Sequence, residues 1–254
     1  TGETFYNIPS NATAAMVFAR TGRLDKAREI VDWIFDNLVR EDGLLSDGVR
    51  MRMSGPEVVD KIYTYNQGTV LGASLEIALA LREDVGLAHD EPIDSFENSE
   101  RADASMFYIT HIRAIVQAIA LEMATPQGVL LSPPEESGEG DGGLFKGILA
   151  RYLADVATRL PEDSKENIAT KKIAARLVMQ SAESLWSHRL EVDGLPVFAA
   201  EWTEDARLPH NYGLGPASIS EAVGLVRIDE RDLSVQLSGW MLLEAAAKVS
   251  AAMA

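Results

Sequence analysis

An almost entirely α-helical domain built from helix pairs is expected of this chain, on three observations. Apolar residues recur at steps of three and four through most of the 254 residues, strand-like runs are few and short, and turn-forming clusters fall between the periodic stretches. With 46% hydrophobic residues there is apolar material for a large core. The formal net charge of −16 argues against nucleic acid and anionic membrane as partners, since both need a basic footprint, and favours a neutral ligand. The chain has no cysteine, which removes disulfides, thiolate nucleophiles and cysteine metal sites and leaves the compartment open. No run of about 18 uncharged apolar residues occurs, so membrane insertion is not expected.

Taken in order, Ser10 after Pro9 is placed to cap a short helix through Ala19, and Thr21-Gly22-Arg23 turns the chain into a second. In that second helix Leu24, Ala27, Val31, Ile34 and Leu38 form an apolar stripe, with Lys26, Arg28, Glu29 and Asp32 largely on the other face. The stretch from Glu41 to Pro56 carries the turn signals Asp42-Gly43 and Asp47-Gly48 around Leu44-Leu45 and reads as a short extended excursion. Tyr63-Thr64-Tyr65-Asn66-Gln67-Gly68-Thr69 then opens a third helix that runs to about Arg82. Its Gly72, Ala73 and Ser74 permit close helix approach, while the tyrosines, Asn66 and Gln67 put hydrogen-bonding groups beside the free N–H groups of the helix start. Such an end suits a polar, uncharged ligand. On spacing alone, Thr64 or Asn66 could equally be a simple cap and the tyrosines junction filler.

The acidic stretch from Glu83 to Asp103 reads as a surface loop, and the helical period returns from Ala104 with Ile109, Ile112, Val116, Ile119 and Met123. Thr125-Pro126-Gln127-Gly128 ends that helix, and a brief extended piece at Val129-Leu130-Leu131 leads to a loop from Glu135 to Gly143. Further helices are expected from Leu144 to Leu160 and from Ser164, the latter with Ile168, Ile173, Leu177, Val178 and Leu185 on its apolar face. After Asp193-Gly194 and an irregular aromatic stretch from Val197 to Tyr212, a short helix from Ala217 to Leu225 and a last helix capped by Asp229 complete the chain. Leu233, Leu237 and Trp240 are expected to face inward on that last helix.

The chemistry narrows by residue type. Gly138-Glu139-Gly140-Asp141-Gly142-Gly143 satisfies G-x-G-x-x-G, but it follows two prolines instead of a strand and puts two acids where a pyrophosphate needs positive potential. His89, His111, His188 and His210 lack metal-type spacing, so no metal or cofactor is expected, and no G-x-S-x-G elbow occurs. Carboxylates remain. Asp141 either caps the helix that follows or projects into a cleft, and Asp47 is either a turn aspartate or a ligand. Glycoside hydrolysis uses two carboxyl groups, with aromatic and amide groups to hold the sugar. The Tyr63 cluster supplies holding groups, and Trp33, Trp202 and Tyr212 are candidate stacking platforms or else packing residues.

Four blocks, in this order, resemble glycoside hydrolase family 76, the bacterial and fungal endo-α-1,6-mannanases: Glu41-Asp42-Gly43-Leu44-Leu45-Ser46-Asp47-Gly48; Tyr63-Thr64-Tyr65-Asn66-Gln67-Gly68; Gly140-Asp141 with Phe145-Lys146-Gly147-Ile148-Leu149-Ala150-Arg151-Tyr152-Leu153; and Ser184-Leu185-Trp186. The resemblance covers the chain from about Phe5 onward and implies an all-α, (α/α)6 toroid with a cleft built by loops at one end. It further implies that Tyr65, Asn66, Gln67, Asp141 and, more weakly, Asp47 contact mannose in an α-mannan, and that cleavage proceeds with retention of configuration.

In one respect the chain departs from the family: the catalytic residues there are two consecutive aspartates, and this sequence contains no Asp-Asp pair. With about eight helices legible where the toroid has twelve, the expectation is a single toroid domain over 1–254 that lacks the first helices and the catalytic pair. Exposed apolar faces on the flanking helices would then favour self-association or retention of the missing segment. The competing reading is a non-catalytic α-helical repeat or carbohydrate-binding scaffold. Thr21-Gly22-Arg23-Leu24-Asp25-Lys26-Ala27 resembles a tetratricopeptide turn, although no self-similarity at a period of about 34 residues follows.

Overall fold

The structure, a computed structural model, describes residues 4–83, 96–136, 141–207 and 232–254. Among them are seven α-helices: α1 (Ile8–Arg20), α2 (Leu24–Leu38), α3 (Thr64–Glu83), α4 (Phe96–Glu122), α5 (Gly142–Arg159), α6 (Lys165–Ser187) and α7 (Leu233–Met253). Strands β1 (Phe5–Asn7), β2 (Gly48–Arg52) and β3 (Gly55–Val59) form one antiparallel sheet, and β4 (Leu190–Val192) pairs with β5 (Leu195–Val197) in another.

The helices form two layers. α1, α3, α5 and α7 pack in succession in the inner layer, and α2, α4 and α6 back them from outside. Close approach within the inner layer depends on small residues. A Cβ at Gly68 would come within 2.9 Å of the Leu149 backbone, and one at Gly147 within 2.7 Å of the Ser238 backbone. α3 is buried on nearly all sides, so its residues Val70, Leu71, Leu75, Ile77 and Ala78 are wholly inaccessible although they do not form a single stripe. The stripe expected for α2 is present, with Ala27, Val31, Ile34 and Leu38 in the core.

The inner helices run the same way, and contacts at their starts show it. Ile8 N–H at the start of α1 donates to Asp47 O at 2.9 Å, Asp47 accepts from Asn66 on α3, Tyr65 packs on Phe145 of α5, and Gly143 lies against Ser234 of α7. The opposite end is held by charge: Glu76 of α3 binds Arg20 of α1 and Arg159 of α5. Connections 39–63, 123–136 and 188–207 all belong to the end where the inner helices start, so the long loops and four positive helix ends share one face.

Several elements differ from expectation. Asn7, not Ser10, takes the N-cap position of α1; Pro9 occupies the first turn, where its missing N–H costs nothing, and Ser10 lies inside the helix. α4 begins at Phe96, so residues 96–103 are helical in what reads as an acidic loop. The excursion around Asp47-Gly48 is a true hairpin, β2 to β3, joined by β1 in the register Tyr6 to Val49. Asp193 and Gly194 both have positive φ, 52° and 77°, the two-residue turn that matches strand twist between β4 and β5. Ile168 of α6 is exposed, and Asn167, Thr170 and Ala174 take the inner positions.

On α7 the inward face is Val235, Ser238, Gly239, Leu242, Ala245, Ala246 and Val249, and Leu233, Leu237 and Trp240 are exposed. The small residues face in because α5 approaches too closely for larger ones. The segment Ser99–Glu122 is long and apolar enough to cross a membrane by length and composition, but Tyr108, Ile109, Ile112, Val116 and Ile119 bury it against the core. The short helix expected over 217–225 and the Asp229 cap lie outside the described residues; Asp232 caps α7, accepting from Ser234 N.

Candidate functional site

The site is built where α3 begins. The loop after α2 doubles back through Gly43, at φ 82°, with Leu44 N–H donating to Asp42 Oδ1 at 3.0 Å, and this turn delivers Leu45 and Asp47 to the end of α3. Asp47 is pinned through its backbone, its N–H donating to Val59 O at 3.1 Å. The residue is 9% exposed, and its carboxylate accepts from Asn66 Nδ2 at 3.0 Å. Burial raises the Asp47 pKa, while the Asn66 hydrogen bond and the positive Lys61 and Arg50 oppose the rise.

The two amides differ in what they have left to offer. Gln67 is inaccessible and committed: its Oε1 accepts from Leu45 N at 3.0 Å, and its Nε2 donates to Leu45 O at 3.0 Å and Tyr63 O at 3.2 Å. The same device recurs on α7, where Gln236 accepts from Phe198 N at 3.1 Å and donates to Phe198 O at 2.9 Å. Each glutamine is the fourth residue of its inner helix and clips an incoming loop by both backbone groups of one residue. Asn66 is equally inaccessible, yet its Oδ1 has no hydrogen-bond partner among the described residues.

Above these amides sits an aromatic group. Tyr65 lies 4.1 Å from Phe145 between ring centroids, and Tyr63 stands 5.5 Å from Tyr65 and 5.9 Å from Phe145. Tyr65 is half-buried, and burial followed by the negative Asp47 raises its phenol pKa. Asp141 takes the N-cap position of α5 without any side-chain cap hydrogen bond; the turn is closed by its backbone, Leu144 N–H donating to Asp141 O at 2.9 Å. Its exposed carboxylate therefore stands four residues before Phe145, at the same end as Tyr65.

Behind the aromatic group lies a charge cluster that sequence reasoning missed. Glu136, 3% exposed, accepts from the Thr64 N–H through Oε1, and its Oε2 has no partner among the described residues. Burial pushes its pKa up to about 7, opposed by the Thr64 contacts and by Lys146. Lys146 is 2% exposed and binds Glu201 Oε2 at 3.1 Å, with its ammonium 4.9 Å from the Trp202 ring centroid. Trp202 is thus buried under a lysine and offers no sugar-stacking face; Trp33 packs against Tyr6, and Tyr212 lies outside the described residues. His111 stacks on Phe35 at 3.9 Å, His188 ends α6, and His89 and His210 lie outside the described residues, as do Gly138, Glu139 and Gly140. Among the described residues no group of three His, Asp or Glu side chains is placed to hold a metal.

A two-layered helical protein whose inner helices run the same way, with polar, aromatic and carboxylate groups gathered at their starts, has the layout of an α/α toroid. The chain belongs to glycosyl hydrolase family 76, whose model matches residues 3–218. Among solved structures it is similar to an α-1,6-mannanase of this family from Salegentibacter sp. HEL1_6, at 26% identity and a TM-score of 0.65, covering 96% of this chain and 60% of that one. A variant of that mannanase, inactive through replacement of two consecutive aspartates by asparagine, is in complex with α-1,6-mannotriose and matches with the same identity, coverage and score. A protein from Listeria innocua, 24% identical with a TM-score of 0.63 over 97% of this chain and 57% of its own, shares the fold. No curated protein sequence matches. The chain spans about 60% of the length of the mannanase structures it resembles.

Proposed function

We propose that this chain forms the sugar-holding part of a glycoside hydrolase that cleaves α-1,6-mannosidic bonds within α-mannan. The observation that carries the reading is the convergence of Tyr65, Asn66, Asp47 and Asp141 at the start of the inner helices of a family 76 chain. Tyr65 and Phe145 offer an aromatic edge to a sugar ring, and Asp47 and Asp141 offer acceptors for its hydroxyls. Asn66 orients Asp47, and Gln67 holds the Leu45 loop on which Asp47 stands.

Retaining hydrolysis needs one carboxyl as nucleophile and another as acid and base on the opposite side of the bond. The reading assigns those roles to a pair of consecutive aspartates outside these 254 residues, supported by the mannanase variant inactivated at such a pair and by the absence of any Asp-Asp in this sequence. The same absence is what favours the second reading, a carbohydrate-binding module without catalysis.

Calorimetric titration with α-1,6-mannotriose tests the first claim: the 254-residue chain binds it, and an Asp47→Ala variant that remains folded binds it at least fivefold more weakly, a loss of roughly 1 kcal/mol or more. No binding at millimolar sugar overturns the reading. Product chromatography tests the second claim, with no cleavage of α-1,6-mannan expected from this chain and cleavage expected from a longer form of the protein that carries the aspartate pair.

A further inference from the structure

We infer that Glu136 is a positioning residue of the site: its buried carboxyl clamps the first turn of α3, and through that turn holds Tyr65 against Phe145 and Asn66 against Asp47. The inference rests on the sugar-holding role proposed for that end of α3 and identifies a residue that no sequence motif marks.

The geometry is specific. Thr64, Tyr65, Asn66 and Gln67 are the first four residues of α3, and the Thr64 N–H is one of the free donors of that helix start. It is taken by Glu136 Oε1, reaching from the short 3-10 turn Pro134–Glu136 across 72 residues of chain. A surface cap would come from the residue just before the helix and remain in water. Glu136 instead comes from a distant loop and is 3% exposed. Two polar atoms of this small region, Glu136 Oε2 and Asn66 Oδ1, are buried without hydrogen-bond partners among the described residues. Buried polar atoms are normally satisfied, and unsatisfied ones cluster where a ligand or water completes the bonding.

The charges facing Glu136 come from three directions. Lys146 on α5 attracts it, Glu201 after β5 repels it, and Tyr65 on α3 feels its charge. Lys146 is already engaged by Glu201 at 3.1 Å, so among the described residues no cation is dedicated to Glu136. Burial raises the carboxyl's pKa while the Thr64 N–H, a donor to it, opposes the rise, and a glutamine side chain keeps an acceptor oxygen in the same place.

The test compares wild type, Glu136→Gln and Glu136→Ala at pH 5.5 and pH 8, with two readouts. Amide hydrogen exchange at Thr64 to Gln67 needs no ligand: protection is expected to fall at least tenfold in Glu136→Ala at both pH values, and to stay high at both in wild type and Glu136→Gln. Affinity for α-1,6-mannotriose is expected to follow the same order. Equal protection of these amides in wild type and Glu136→Ala overturns the clamp. Loss of protection with unchanged affinity overturns its positioning role. If the wild type binds no mannotriose while exchange follows the expected order, the sugar-holding role fails and the clamp stands.

Discussion

The start of α3 and its C-terminal half each meet a carboxyl with little access to water, and they treat it in opposite ways. At the far end Glu76 meets Arg159 at 2.6 Å and Arg20 at 2.7 Å; burial raises its pKa, but the two guanidinium groups outweigh burial and hold it down at about 2. At the site end Glu136 has one backbone N–H and a lysine that belongs to another acid, and burial holds its pKa up at about 7. Both start from the same unperturbed value of 4.5. A fold that supplies two arginines to one half-buried acid and, among the described residues, leaves another without a dedicated cation is treating the two places differently. The first ties α1, α3 and α5 together, whereas the second keeps uncommitted polar atoms beside Tyr65 and Asp47. Buried polar atoms left without partners mark places where a ligand or water completes the bonding, whereas an acid shared between two arginines ties a scaffold together.

The largest effect expected from breaking this contrast is at Gln67. Replacing it by Ala strands the Leu45 N–H and C=O in a dry interior, at a cost of roughly 2 to 4 kcal/mol of stability. Gln236→Ala on α7 should lower the melting temperature in the same direction, because Phe198 loses the same two bonds. The neighbouring Asn66→Ala change should act differently: it removes the hydrogen bond from Nδ2 that orients the Asp47 carboxylate and weakens mannotriose binding by about 1 to 3 kcal/mol. Depressed melting with unchanged affinity in both Gln67→Ala and Asn66→Ala would remove this cluster from the site.

Next in size is Glu76→Ala. It leaves Arg20 and Arg159 facing each other without their shared acid, and since both arginines keep partial access to water the cost is about 2 kcal/mol, with sugar affinity unchanged. A thermal melt and a calorimetric titration on the same variant check both halves of that statement.

The contrast also has a pH signature with opposite signs. Glu76, whose folded pKa is depressed, contributes stability that is present above about pH 4.5 and lost as pH falls towards 2. Glu136, whose folded pKa is raised, contributes stability that is present below about pH 4.5 and lost as pH rises through 7. Each contribution is on the order of 1 to 2 kcal/mol once solvent relaxation is allowed for. Denaturation midpoints taken from pH 3 to pH 8 should therefore flatten on the alkaline side in Glu136→Gln and on the acid side in Glu76→Gln. An unaltered alkaline limb in Glu136→Gln would show that this carboxyl titrates normally.

How much of this was legible before the structure depended on how local each cause is. The α2 stripe and the start of α3 at Thr64 are dictated by residues within one or two turns, and both were readable. The partner of Gln67 is a backbone 22 residues away, and nothing in the sequence distinguishes a glutamine that clips a loop from one that meets a sugar. Glu136 follows two prolines in a polar stretch with no period, so its burial is decided entirely by the helices around it. On α7, Leu233, Leu237 and Trp240 form as good a stripe by spacing as the true inward face. The choice between them was made by the tight α5 contact at Gly147, which admits Ser238 and excludes a large side chain.

The smallest expected effect, and the finest discriminator, is at Asp141. A side-chain N-cap contributes about 1 kcal/mol to stability, and the local sequence is compatible with that role. In the structure Asp141 occupies the cap position but its carboxylate caps nothing, the turn being closed by the Asp141 carbonyl. What remains for stability is the interaction of an exposed charge with the positive start of α5, a few tenths of a kcal/mol and screened by salt. Asp141→Asn should therefore shift the melting temperature barely at all in 0.5 M salt, a concentration whose Debye length of about 4 Å removes the dipole contribution. Mannotriose affinity should still fall severalfold, because the amide replaces an acceptor oxygen with a donor. A melting shift equivalent to about 1 kcal/mol with intact affinity would make Asp141 a cap after all and would leave Tyr65 and Asp47 to hold the sugar without it.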